Sequence, residues 1–452
     1  MLFSSMIFIF LFLPVFLVLY YIVPIRYRNS LLLLGSLIFY AYGEPVHIVL
    51  LLLSVLLNYV FGIGFSHTEM TWKRRVLLSL ALLYNLGMLF FFKYQIENGA
   101  LPLGISFYTF QIVSYLIDVY KRRIPAERNL LQLGTYLCMF PQLMSGPLIA
   151  YSKIKDSLYQ RSYSVSAVED GLKTFTIGLA SKILIANPLG SLWRDAQIIG
   201  FDSISTPMAW IAMFAFSLQI YFDFNGYSLM AIGLGRMLGF TLPQNFDHPY
   251  AATSISDFWR RWHITLGLWF REYIYIPLGG NRKGTAIMIV NLFLVWMCTG
   301  LWHGFGTNFL LWSLFCFILI AIEKLLFSTW LKHPTLLRVL FARLYVLLMI
   351  PLSWMLFAIT DLTEIKLFFS RLFPPVITFS QQFFMQPDVV KALSSYGIFF
   401  LAGIVFCLPC CSRFYEKHKN NIMILLSLLL LFWLCIHRIL NEVNNPFLYF
   451  SF

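Results

Sequence analysis

The sequence predicts an all-α polytopic integral membrane protein, and three observations predict it. Of 452 residues, 59% are hydrophobic and only 12% are charged, with a mean hydropathy of +0.75. A single soluble core does not hide that much apolar surface. Apolar runs of about 17–21 residues recur along the whole length, which is the span a helix needs to cross hydrocarbon. The runs do not alternate in polarity as barrel strands do, and isolated strands leave their backbone groups unsatisfied in lipid. Roughly 10–12 spanning helices are expected, with re-entrant and interfacial pieces. They form a single integral domain over residues 1–452, because no long polar stretch exists to build a soluble module.

The first half reads in order. Candidate spans are Ile7–Val23, Ser30–Tyr42, Val46–Phe65, Val76–Phe92 and Leu101–Val119. Met1–Met6 carries no basic residue, and Val23-Pro24-Ile25-Arg26 lacks a small-x-small cleavage pattern. The first run is therefore expected to span rather than to be cleaved. Arg26 and Arg28 follow the first span; Lys73, Arg74 and Arg75 follow the third; Lys121, Arg122, Arg123 and Arg128 follow the fifth. The second connector offers only Glu44, and the fourth balances Lys93 with Glu97. Lys/Arg excess marks the cytoplasmic side, so the N-terminus is expected outside. The formal net charge of +13 belongs to this asymmetry and to the anionic leaflet it faces; nucleic acid is not an expected partner.

After Leu130 the pattern blurs. Leu130–Ile149 is interrupted by Pro141, Gly146 and Pro147, and Val168–Ala186 carries Lys173 and Lys182. Both read as re-entrant or tilted pieces, which lipid tolerates only beside protein or water. Met208–Tyr221 and Leu229–Phe240 flank a polar stretch, Asp223 to Ser228. Ile255–Tyr275 interleaves Phe258, Trp259, Trp262 and Trp269 with Arg260, Arg261, Arg271 and Glu272. Read as one helix, it suits the membrane interface, and Arg282 and Lys283 put it on the cytoplasmic side. Ala286–Leu301, Asn308–Ile322, Leu336–Ile359, Tyr396–Leu408 and Ile422–Ile436 complete the spans.

His303 closes the run Ala286–Leu301, and an ionisable group at membrane depth is a functional candidate by default. An apolar setting favours the neutral imidazole, which can take a proton from a hydroxyl attacking a carbonyl. Gly300 and Gly304 flank it and are expected to leave room for a substrate. In a helix Trp296, Gly300 and His303 share a face. The competing reading is a buried histidine tied to a neighbouring carbonyl. His263 sits beside two arginines and on its own reads as an interfacial histidine. Asp223 and Asn225 either orient an imidazole or a head group, or pin a helix break. Arg260, Arg261, Arg271, Arg282 and Lys283 either hold phosphates of a cytosolic donor or anchor the protein at the interface.

Several chemistries are disfavoured. No histidine or cysteine has metal-ligand spacing beside His263 and His303, so no metal is expected. Cys407-Leu408-Pro409-Cys410-Cys411 lacks the second half of a zinc motif, and seven cysteines do not form a disulfide framework. No phosphate-binding glycine loop or nucleophile elbow stands in a credible context. Gly233-Leu234-Gly235-Arg236-Met237-Leu238-Gly239 reads as close helix packing.

Specific motifs carry a resemblance. They are Leu101 to Gln111, Phe140-Pro141-Gln142 with Ser145-Gly146-Pro147, and Tyr221-Phe222-Asp223-Phe224. They continue with Asp257 to His263, Tyr275 to Arg282, Gly300-Leu301-Trp302-His303-Gly304 and Pro446 to Phe452. Over nearly its full length the chain resembles the membrane-bound O-acyltransferases, in the bacterial branch of alginate O-acetylation and teichoic acid D-alanyl transfer. The resemblance implies a central tunnel, a catalytic core over about residues 101–322, His303 as the catalytic histidine and His263 as the second histidine of the pattern. It implies acyl transfer, with acetyl as the expected group, from acetyl-CoA or an acyl-carrier thioester to hydroxyls of an extracytoplasmic polysaccharide. The implied partners are an extracytoplasmic SGNH-type acetyltransferase or polysaccharide machinery and an acyl carrier protein; no tightly bound cofactor is implied. Asn225 and Leu229 depart from the family pattern, which has Ser and Asp there.

A second function class is a secondary transporter or lipid-linked flippase that uses Asp223 and His303 as a relay. Such proteins often carry paired inverted halves. The motif-rich middle of this chain has no counterpart near either end.

Overall fold

The structure is a computed structural model. It describes residues 1–94, 101–144, 146–327, 335–374 and 387–441. Glu97, Ser145, His333 and the stretch Pro446–Phe452 lie outside the described residues. Among those described there is no strand.

The helices, in chain order, are α1 (Leu13–Ile22, after a π turn at Phe8–Phe12), α2 (Arg28–Gly43), α3 (Ile48–Ser66), α4 (Thr71–Tyr94) and α5 (Ile105–Tyr120). The short α6 (Leu130–Cys138), α7 (Phe140–Leu143) and α8 (Tyr151–Tyr159) follow. Next come α9 (Val165–Ala180), α10 (Asn187–Ile199), α11 (Thr206–Met237), α12 (Ile255–Arg261) and α13 (Ile264–Phe270). The last are α14 (Thr285–His303), α15 (Thr307–Ile322), α16 (Leu336–Ala358), α17 (Leu362–Leu372), α18 (Pro387–Phe406), α19 (Pro409–His418) and α20 (Ile422–Asn441). Among the described residues nine helical stretches are long and apolar enough to cross a membrane, and Phe8–Ile22 is a shorter apolar helix. The protein is thus all-α and polytopic.

Contacts divide the chain into two compact units, residues 1–176 with 227–244 and residues 177–226 with 245–452. The first shows how these helices sort their faces. On α3, Leu51, Ser54, Val55, Asn58, Gly62 and Phe65 are buried at helical spacing. Leu52, Leu53, Leu56 and Val60 point outward. The inward stripe is thus the more polar one, the arrangement expected where lipid is the solvent. Asn58 and Asn85 exchange side-chain hydrogen bonds of 3.0 and 2.7 Å between α3 and α4. Arg74 is buried and donates to the carbonyls of Phe65, Tyr120 and Val119 at 2.5, 2.6 and 3.2 Å, closing helix ends that would otherwise keep orphan oxygens.

Three sequence expectations are corrected. Val168–Ala186 is not interrupted: helix runs through Val165–Ile199, with the irregularity taken up by a π turn at Ser181–Ala186 ahead of Pro188. The polar stretch from Asp223 to Ser228 breaks nothing, because α11 runs unbroken for 32 residues. Ile255–Tyr275 is not one helix. It is α12, α13 and a π turn at Arg271–Tyr275, with a sharp change of direction at Trp262–His263. Leu130–Ile149 is broken as expected: α6 and α7 are short, and residues 146–150 are irregular.

Candidate active site

The site lies within the second unit and is organised by α14. Met288, Leu292, Val295, Trp296, Thr299 and His303 all line one cavity of about 1060 Å³. Their spacing of three and four residues places them on one helix face. That face runs about 22 Å from Met288 to His303, at about 1.5 Å of rise per residue. Exposed Arg260, Arg271, Asn281 and Lys324 line the same cavity as buried His303, Trp312 and Phe357.

His303 is the last residue of α14 and is buried. Its ring meets Trp312 at 5.2 Å and Phe357 at 5.0 Å, both edge-on, and Phe309 at 6.0 Å. The expectation that Gly300 and Gly304 leave room for a substrate is wrong. A Cβ on Gly300 would stand 2.6 Å from Ser313 Oγ and 3.0 Å from the Phe309 carbonyl; on Gly304 it would stand 2.7 Å from the Phe309 ring. Both glycines serve the close approach of α15, as small residues do where membrane helices pack.

His263 lines the same cavity, so the structure brings together two histidines 40 positions apart. It is buried and adopts a left-handed backbone, φ +44°, uncommon for a non-glycine residue although histidine is among the types enriched there, at the turn between α12 and α13. Asn245 holds that turn. Its carbonyl oxygen Oδ1 accepts from Thr265 N at 3.3 Å and from Thr265 Oγ1 at 2.9 Å, and His263 Nδ1 lies 3.1 Å away. An amide oxygen only accepts, so Nδ1 carries the proton and Nε2 is the basic nitrogen. Burial lowers the His263 pKa to about 3, so this imidazole is neutral. Phe224 packs edge-on to the ring at 4.8 Å, and Trp302, the neighbour of His303, approaches to 6.3 Å.

The predicted basic residues divide. Arg260 and Arg271 line the cavity. Arg261 does not; it turns to Asp257 at 2.9 Å and Asp247 at 3.7 Å. Arg282 and Lys283 are exposed in the loop before α14 and are not among the lining residues. Asp223 is also outside the lining. It forms an ion pair with Lys182 at 2.6 Å, both side chains 3% exposed. Asn225 is half-buried and, two residues on, faces away from Asp223. Gly226 lets the two helices approach: a Cβ there would lie 2.7 Å from the Gly178 carbonyl and 3.1 Å from the Lys182 backbone nitrogen.

Sequence reasoning missed Asn245, Lys182, Glu323 and Lys324. Glu323 ends the apolar run of α15 and is buried. Its carboxylate accepts from Ile255 N at 2.5 Å, and from Ser256 N and Oγ at 2.9 and 2.7 Å. It thereby caps α12 and fixes the segment that leads to His263. An acidic residue at the end of an apolar run was the only signal for it.

Comparison with known proteins places the chain. The model of the MBOAT, or membrane-bound O-acyltransferase, family matches residues 120–359. A probable alginate O-acetylase AlgI of Pseudomonas fluorescens is 40% identical over 330 residues, 72% of this chain and 66% of that protein. A peptidoglycan O-acetyltransferase of Helicobacter pylori is 34% identical over 417 residues, 80% of this chain and 78% of that protein. A teichoic acid D-alanyltransferase of Bacillus subtilis is 27% identical over 243 residues, 51% of this chain and 60% of that protein. This chain therefore spans about two thirds of the length of the alginate relative. By the match over more than half of its residues and by these identities, the chain belongs to the membrane-bound O-acyltransferase family, a family of multi-pass membrane acyltransferases.

Proposed function

We propose that this chain passes an acetyl group from a cytosolic thioester, acetyl-CoA or an acyl carrier, toward a hydroxyl on the outer side of a bacterial inner membrane. The observation that carries the proposal is the shared cavity: one helix face leads from Arg260, Arg271 and Lys324 to His303, with His263 on the same lining. Guanidinium groups match phosphate bidentately, and the apolar stripe of α14 suits a slender acyl-bearing arm. His303 removes the proton of the attacking hydroxyl while its oxygen forms a bond to the thioester carbon; the C–S bond then breaks, and the thiolate takes the proton back from the imidazolium. His263, neutral and held by Asn245, positions the acyl donor. Arg261, Arg282 and Lys283 add positive charge around the entry, and Asp223 with Lys182 holds the helices beneath it. The residues bind both substrates transiently, with no tightly held cofactor.

The outer acceptor is a polysaccharide hydroxyl or the serine of an SGNH-type partner. Relatives named for alginate, peptidoglycan and teichoic acid support that acceptor class. The alternating connector charges support an extracytoplasmic N-terminus. We read the chain as one integral domain, since neither compact unit is a contiguous stretch. The transporter reading loses ground because Asp223 is paired with Lys182 and does not line the cavity.

The test is a His303→Ala variant at wild-type abundance. Loss of polymer acetylation is expected; undiminished acetylation rejects the assignment. Thiol release from acetyl-CoA by the purified chain, set against proton-coupled uptake in vesicles, separates transferase from transporter.

A further inference from the structure

We propose that the indole N–H groups of Trp312 and Trp259 are catalytic donors that stabilise the negative charge developing on the acyl oxygen beside His303. The inference rests on the acyl-transfer reading and names who meets the carbonyl oxygen.

Both tryptophans line the cavity that holds His303. Trp312 is 1% exposed, and its ring stands edge-on to the His303 imidazole at 5.2 Å and 90°. Trp259 packs on Trp312 at 5.6 Å and 75°. The Nε1 atoms of both are buried and have no acceptor among the described residues. A buried N–H without an acceptor is costly, and in native proteins it asks for an explanation. Crowding does not supply one, because a neighbouring indole in the same aromatic box is satisfied: Trp354 Nε1 donates to the Tyr250 hydroxyl at 3.2 Å. Trp354 stacks on Trp312 at 6.1 Å and meets Trp259 at 5.7 Å. All three indoles line the cavity, and Trp259 and Trp312 are the two whose buried N–H groups have no acceptor among the described residues.

The chemistry fits an acyl carbonyl. As the acceptor oxygen bonds to the thioester carbon, the C=O pair moves onto oxygen and makes an oxyanion. His303 holds the hydroxyl proton. Collapse restores the C=O, expels the thiolate and returns that proton to sulfur, so charge and atoms balance. An indole N–H is a donor only and does not titrate. In a water-poor site such a donor needs no reorganisation as charge develops.

The test uses the full chain in lipid nanodiscs with acetyl-CoA and a polysaccharide as hydroxyl acceptor, read as thiol release. Trp312→Phe removes the N–H and part of the ring. Benzothienylalanine at position 312 keeps the bicyclic shape and removes only the N–H. Both are expected to lower kcat roughly 100- to 1000-fold, a loss on the scale of one oxyanion donor, with KM unchanged. The double change with Trp259→Phe falls further. If the benzothienylalanine protein keeps wild-type kcat while His303→Ala is inactive, the indole assignment is overturned and the acyl-transfer reading stands. If the wild-type chain releases no thiol, or His303→Ala matches it, the underlying reading fails and takes this inference with it. A rise in KM at constant kcat also overturns the proposal, because it marks uniform binding rather than transition-state stabilisation.

Discussion

His263 donates from Nδ1 to Asn245 Oδ1 across 3.1 Å, and the same oxygen anchors Thr265. One amide thus fixes both the tautomer of the histidine and the left-handed turn that carries it. Asn245→Leu removes every one of these acceptor contacts at similar volume. We expect activity to fall about 10- to 100-fold, within the range of lost supporting hydrogen bonds at a preorganised site. Asn245→Asp, which keeps the acceptor, should fall less. Thiol release at matched abundance is the measurement.

The buried His263 also predicts a pH dependence of stability. Its folded pKa is lowered to about 3, whereas the unfolded chain binds a proton near 6.5. Between those values the unfolded state holds one more proton, so stability is lost as pH falls below about 6.5. His263→Gln should flatten that part of the profile. Apparent melting temperature in detergent from pH 7 to pH 5 reads it; identical slopes for both proteins would refute the assignment.

The Lys182–Asp223 pair is buried on both sides. Removing one partner leaves an uncompensated charge, a loss of about 3–5 kcal/mol. Lys182→Met and Asp223→Leu should each lower the monodisperse yield and melting temperature sharply. The double variant should recover most of the loss, because an apolar pair replaces an ionic one.

Gly300→Ala drives a Cβ against Ser313 Oγ and the Phe309 carbonyl. Overpacking of this kind costs about 1–3 kcal/mol. Adding Ser313→Gly relieves the side-chain clash and leaves the carbonyl contact, so thermal stability should return in part.

At the cavity mouth, Arg271→Ala and Lys324→Ala should raise KM for the thioester with little change in kcat, and the effect should shrink in high salt. Arg282→Ala and Lys283→Ala lie off the lining and should change KM less. Initial rates across acetyl-CoA concentrations distinguish the two pairs.

The helical class was legible because hydropathy and helix length are local properties. His303 was legible because a histidine closing an apolar run is anomalous on sequence alone. The resemblance marked His263 as the second histidine of the pattern, but that it shares a cavity with His303 is a property of the folded chain. Other features depend on distant residues. Asp223 looked like a helix breaker because its partner Lys182 lies 41 positions earlier, and only the folded pair shows why α11 continues. Ile255–Tyr275 looked like one amphipathic helix because its composition does not mark the left-handed turn at His263; that turn is imposed by Asn245, outside the segment. Gly300 and Gly304 were misread because sequence shows a missing side chain without showing what occupies the space. The lack of an acceptor for the Trp259 and Trp312 N–H groups among the described residues was hidden because a tryptophan in an interfacial segment or an apolar run reads as packing until its N–H is traced.

The stripe on α14 carries one more consequence. Its rungs at Leu292, Val295 and Thr299 recur every three or four residues, close to the helical pitch of about 5.4 Å, along the way to His303. A bulky residue placed on any rung would shorten the passage by a set increment. The helix is thus a graduated gauge, on which the reach of the incoming arm and the bulk of its cargo can be retuned one rung at a time without altering the histidines.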